Sequence, residues 1–170
     1  MSTRDAPRKH VRRLVVWTAR VSYGGTDRLD ITRKSGGEEG APFAPSALLF
    51  ERMRSAREEA KALPSEEAQR LLGRAWTLYE TDFIAEMRVS FGIHERSWRA
   101  SEHAAYARGA RAHAPAWKKL LARESATLVC FCTDPLRCHR TLVARVLGKL
   151  GADVRGEVET DAGPQRKLPF

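Results

Sequence analysis

The 170-residue sequence predicts an α/β domain, Rossmann-like and three-layered, with a mainly parallel sheet. Three observations lead there. Short, nearly continuous apolar runs stand at Leu14-Val-Val-Trp-Thr18 and at Ala126-Thr-Leu-Val-Cys-Phe-Cys132, the pattern of strands buried on both faces of a parallel sheet. Long stretches with helical apolar spacing lie between them. The second run then passes through a tight loop into another helical pattern, as in strand–helix–strand units.

Taken in order, residues 1–10 read as a basic tail, 11–160 as a single α/β domain and 161–170 as a polar C-terminal tail. The first strand, Leu14 to Thr18, runs into the glycine-bearing loop Ala19-Arg-Val-Ser-Tyr-Gly-Gly25. Asp27 to Thr32 is a short second strand. Arg33, Lys34 and the glycine-rich Ser35-Gly-Gly-Glu-Glu-Gly40 follow as a flexible loop, suited to an anion or equally to a plain surface turn.

Ser46 caps a helix over about 47–63 that buries Leu49, Met53, Ala56, Ala60 and Leu63. Pro64 ends it, and Ser65-Glu-Glu67 opens a long helix to about Val89. Leu72, Trp76, Tyr79, Phe83 and Met87 make its apolar stripe, more often core than ligand cage. The stretch from Phe91 to Ala114 resists assignment, and His94, His103 and His113, with no common spacing, read as surface residues. Pro115 to Arg123 is a helix that turns Trp117, Leu120 and Leu121 inward. The last strand falls at 152–159.

Between Cys132 and Leu150, Thr133 or Asp134 serves as N-cap and Pro135 as first helical residue. Leu142, Val143, Val146, Leu147 and Leu150 then carry the apolar face, and Gly151 is the stop. The stretch Cys130 to Arg140 holds all three cysteines and one of the five histidines. Cys130 and Cys132 flank Phe131 and so face one side of the strand. Cys138 falls one turn into the helix.

These residues support three chemistries. A thiolate nucleophile, Cys138 or Cys130, with His139 as proton carrier suits an enzyme, because a helix start and nearby arginines lower a thiol pKa. Cys130, Cys132, Cys138 and His139 are also ligand types for zinc. Against this, the spacing is neither of the common paired-cysteine patterns, and Cys138 and His139, adjacent on a helix, would point about 100° apart. In the third reading, Cys130 and Cys132 are buried hydrophobes and His139 packs or caps.

Ligands of open α/β sheets bind beyond the carboxyl ends of strands. Arg20, Tyr23, Arg33, Arg137 and Arg140 are therefore the candidates to hold an anionic substrate, either a small molecule or a nucleic acid. A net charge of +9 and a pI of about 10.0 favour such partners. Arg4 to Arg13 and Arg96 to Lys119 are the locally basic segments, while the rest of the charge fits solvated helix faces. No apolar run is long enough to cross a membrane. The N-terminus has no signal-peptide pattern, and clustered, odd-numbered cysteines suggest a reducing cytoplasm.

At Cys130-Phe-Cys-Thr-Asp-Pro-Leu-Arg-Cys-His-Arg140 the sequence resembles the family catalogued as Domain of Unknown Function 488. Its hallmark is a cysteine at a strand end, an acidic-proline loop and a Cys-His-Arg triplet opening a helix. The resemblance places that cysteine at Cys130 and the triplet at Cys138, His139 and Arg140. Trp17 to Tyr23, Leu29 to Ser35, Phe43 to Ser46 and Tyr79 to Ser90 look like a branch of the same family. The better-known branch carries an acidic residue where Cys132 stands. That shifts weight toward Cys130, Cys138, His139 and Arg140, and still allows a metal, since a carboxylate also ligates. The resemblance implies the fold and the site but no established activity.

Overall fold

The structure, a computed structural model, describes residues 13–92 and 113–158. The two expected tails, His94, His103 and most of the 91–114 stretch lie outside the described residues.

Among the described residues the fold is α/β, with a four-stranded, all-parallel sheet in the order β2-β3-β1-β4, consistent with a three-layer architecture. The strands are β1 (Val15–Arg20), β2 (Arg28–Asp30), β3 (Ser125–Cys130) and β4 (Asp153–Glu157). Pairing of β1 with β3 sets Val16 beside Ala126, Thr18 beside Leu128 and Arg20 beside Cys130. Because side chains alternate along a strand, these pairs share one face of the sheet.

Only residues 21–27 join β1 to β2, which lie on either side of β3, although parallel strands of one sheet are usually linked by a dozen residues or more. The short link works because β2 is three residues long and starts partway down β3. Val21 N–H donates to the Cys130 carbonyl and Thr127 N–H to the Asp27 carbonyl, so the loop runs back along β3. Asp27 also accepts hydrogen bonds from the Thr127 and Tyr23 hydroxyls, which pins the loop against the second sheet face.

The first face is covered by α5 (His139–Lys149), the crossover between β3 and β4. Leu142, Val143 and Leu147 are buried with Val16, Ala126 and Leu128. Against α5 lies α3 (Ser65–Phe91), through Tyr79, Phe83 and Met87 of its apolar stripe, which are buried, while Leu72 and Trp76 are half-buried. The helix α2 (Ala47–Lys61) pairs with α3 and starts at Ser46, whose hydroxyl accepts from Leu49 N–H as expected of its cap. On α4 (Ala114–Leu121), Trp117 is fully buried, donates to the Ser90 hydroxyl at 2.9 Å and meets Phe43 edge-on. His113, just before α4, is half-buried rather than on the surface.

Two local expectations change. The glycine-rich stretch after β2 is ordered into a single helical turn, α1 (Gly37–Gly40), which continues into a 3-10 turn, Ala41–Phe43. Gly36 and Gly40 pack so closely on the Asp30 and Thr32 carbonyls that a side chain at either position would collide with backbone. The last helix starts later than its proline suggests. Asp134 does cap, but it caps the 3-10 turn Pro135–Arg137, and the chain is extended at Cys138 (φ −136°, ψ 141°) before α5 begins at His139.

Candidate metal centre

The end of β3 and the start of α5 bring three sulfurs and an imidazole together. Cys130 closes β3 on the face that α5 covers, and Cys132 lies just beyond it in the loop. The Cys130 and Cys132 Sγ atoms are 3.6 Å apart, and Cys130 Sγ is 3.7 Å from His139 Nδ1. One ligand atom from each of Cys130, Cys132, Cys138 and His139 lies within 4.8 Å of all the others. A tetrahedral zinc with its usual bond lengths separates two sulfurs by about 3.8 Å and a sulfur from an imidazole nitrogen by about 3.6 Å. The spacing fits.

The objection from helix geometry falls away. Cys138 is the extended residue before α5, not a residue inside it, so its side chain is not held 100° from that of His139. These four residues could together hold a metal ion.

His139 is arranged as such a ligand should be. Its Nε2 is 2.8 Å from the Ile31 carbonyl oxygen, which can only accept, so Nε2 carries the hydrogen. Burial, which outweighs its neighbours, pushes the imidazole pKa down and keeps the ring neutral. Nδ1 therefore offers its lone pair to the cluster. Phe83 packs edge-on against the same ring.

The sulfurs are unequal. Cys132, half-buried, is the one pushed well down, by hydrogen bonds from the thiols of Cys130 and Cys138 and then by the Arg140 charge. The Cys130 thiol is pushed up, chiefly because it donates to Cys132, and the Cys138 thiol is pushed up by burial and by its hydrogen bonds to the other two. A reactive thiol must be both ionised and reachable. Cys138, 1% exposed, and Cys130, 4% exposed, are poorly placed for that role. Cys132 meets both conditions, although the sequence favoured the other two.

The arginines separate into three groups. Arg140 is fully buried, and each of its nitrogens is engaged: Nε and an Nη hold Glu157 at 3.2 and 2.8 Å, and the other Nη reaches the Cys132 carbonyl at 2.8 Å and Cys138 Sγ at 3.5 Å. It braces the centre and has no face left for a substrate. Arg33 donates to the Pro45 carbonyl and lies over the Phe50 ring, and the Tyr23 hydroxyl is turned to Asp27, so neither joins the cluster. Arg20, beside Cys130 in the sheet register, and Arg137 are exposed on the same rim, near the exposed Phe131 and Leu136.

Sequence reasoning missed Glu157, Gly156 and the Ile31 carbonyl. A glycine inside a strand signals a bulge or a close backbone approach, and that signal at Gly156 was available. The carbonyl has no sequence signature.

Comparison with known proteins gives one relation. The family described as Domain of unknown function DUF488 matches residues 58–147, which include all four cluster residues and Arg140. No curated protein and no solved structure matches the chain. No described helix is long and apolar enough to cross a membrane. With more than half of its length matched, this chain belongs to the DUF488 family.

Proposed function

We propose that this protein is a zinc-binding α/β domain whose ion is held by Cys130, Cys132, Cys138 and His139, at a rim that receives an anionic, nucleotide- or nucleic-acid-related ligand. The observation that carries the metal reading is the gathering of four donor atoms within 4.8 Å of one another around a histidine already turned by a backbone carbonyl. Three soft sulfurs and one imidazole suit zinc among the common divalent ions. Four protein ligands leave no open position, so the ion ties the end of β3 to the start of α5 instead of binding substrate itself. Arg20 and Arg137 supply cationic groups for the anion, and Phe131 offers an exposed ring between two of the ligands.

A second reading, a thiol-dependent enzyme, is favoured by one feature: Cys132 is both the most acidic and the least buried sulfur. His139, its ring neutral and facing the sulfurs, would then carry the proton. Metal analysis of the untagged protein, paired with iodoacetamide labelling at neutral pH, separates the two. Stoichiometric zinc with slow labelling supports the metal centre. Metal-free protein with fast labelling confined to Cys132 supports the enzyme.

A further inference from the structure

Glu157 reaches Arg140 only because β4 carries an extra residue. Val15 and Val16 pair with Asp153 and Val154, and then the register jumps, setting Trp17 beside Gly156 and Thr18 beside Glu157. Arg155 is the residue left over, and its side chain is exposed. Without the jump, strict alternation would set Glu157 level with Ala19, on the face away from α5. Gly156 makes the jump at φ +117°, in a region that side chains rarely tolerate. The bulge thus turns a carboxylate inward at the one level where a buried guanidinium waits for it.

From there the contacts form a chain. Glu157 accepts the Thr18 hydroxyl at 2.5 Å and takes Arg140 through both of its oxygens. The remaining donors of Arg140 fix the backbone of Cys132 and the sulfur of Cys138. Three thiolates around a divalent ion leave one net negative charge, which the guanidinium faces in a site shielded from water. A lysine would offer charge without the planar fork that makes these contacts at once.

We infer that the Gly156–Glu157 bulge is a positioning device for the metal centre: it fixes Arg140, and through Arg140 it sets Cys132 and Cys138 at coordinating distance. This rests on the metal reading proposed above. It makes β4, which contributes no ligand, a determinant of metal affinity.

Cobalt(II) titration of the metal-free full chain tests it, with affinity from chelator competition and coordination from the ligand-field and thiolate charge-transfer bands. Wild type should bind one cobalt with a tetrahedral, sulfur-rich spectrum. Glu157→Gln, which keeps the shape and loses the charge, should bind about 10- to 100-fold more weakly, the usual effect of removing a group that orients a ligand. Its charge-transfer bands should also weaken. Glu157→Asp, which keeps the charge, should recover part of both losses. If Glu157→Gln fails to fold by circular dichroism, Thr18→Val decides, and it should show a smaller loss in the same direction.

A folded Glu157→Gln with wild-type affinity and spectrum overturns the positioning role while leaving the metal centre standing. A Thr18→Val protein identical to wild type, where it is the variant that decides, does the same. Wild type that takes up no cobalt overturns both.

Discussion

At His139 a single carbonyl decides which nitrogen is free for chemistry. The Ile31 oxygen takes the Nε2 hydrogen and leaves Nδ1 facing the sulfurs. His139→Ala should therefore act twice. It should abolish stoichiometric zinc, and in the metal-free protein it should cost about 1–3 kcal/mol, because a buried carbonyl loses its donor. Urea unfolding in the presence of chelator measures the second effect apart from the first. Asp30, which ends β2 just before Ile31, offers a pH test. Burial raises its pKa, but hydrogen bonds from Ser35 and Thr32 and the nearby Arg28 charge outweigh burial and hold it below its ordinary 3.8. A carboxyl depressed on folding adds stability that is full above the unfolded value and is lost as pH falls through the folded one. Metal-free wild type should lose more stability than Asp30→Asn as pH falls below about 4, and equal slopes in urea midpoints would remove Asp30 from the account.

At the scale of elements, sequence was most legible where one residue has one dominant effect. Ser46 caps α2, Pro64 separates α2 from α3, and Asp134 caps the turn after β3. The apolar runs mark β1 and β3: β3 is buried on both faces and so shows no alternation, while the apolar run of β1 covers alternating buried and half-buried positions. Sequence misled where a short-range rule met a long-range contact. Pro135 was read as the first residue of the last helix, yet it starts a 3-10 turn and Cys138 is extended, and that one displacement removes the helix-geometry objection to a metal. The stretch 35–40 looked flexible, since its glycines have no side chains to show that they pack on neighbouring carbonyls. Gly40→Ala should push α1 off the end of β2 and destabilise the protein by about 1–3 kcal/mol, the usual range for overpacking, as read from a urea midpoint. Because β2 leads into Ile31, the same variant should also weaken zinc binding, and a variant with normal stability and zinc content would show that the contact gives way freely.

Across the whole molecule, the sheet rim gathers what the chain separates. Cys130, Cys132, Cys138 and His139 lie close in sequence and were legible as a group, whereas the groups that orient them come from the residue after β2 and from β4. Such support depends on register and on a bulge, which composition and periodicity do not encode. The main core, from Val16, Leu128, Phe83, Trp117, Leu142 and their neighbours, is built from residues that are not ligands, although Phe83 also meets the His139 ring. Removing the metal should therefore leave most of the far-ultraviolet circular dichroism intact and lower the melting temperature, by the linkage between binding and folding. Complete unfolding on chelation, as in small zinc modules without another core, would place the core's stability in the ion instead.

The central claim is that the four side chains form one closed coordination site, and the most direct measurement is the zinc content of untagged protein from zinc-replete cells, by plasma mass spectrometry. The account predicts about one zinc per chain in wild type, with three sulfurs and one nitrogen around it by X-ray absorption, and little in Cys132→Ser. Protein that carries no metal and in which all three thiols titrate freely would contradict it.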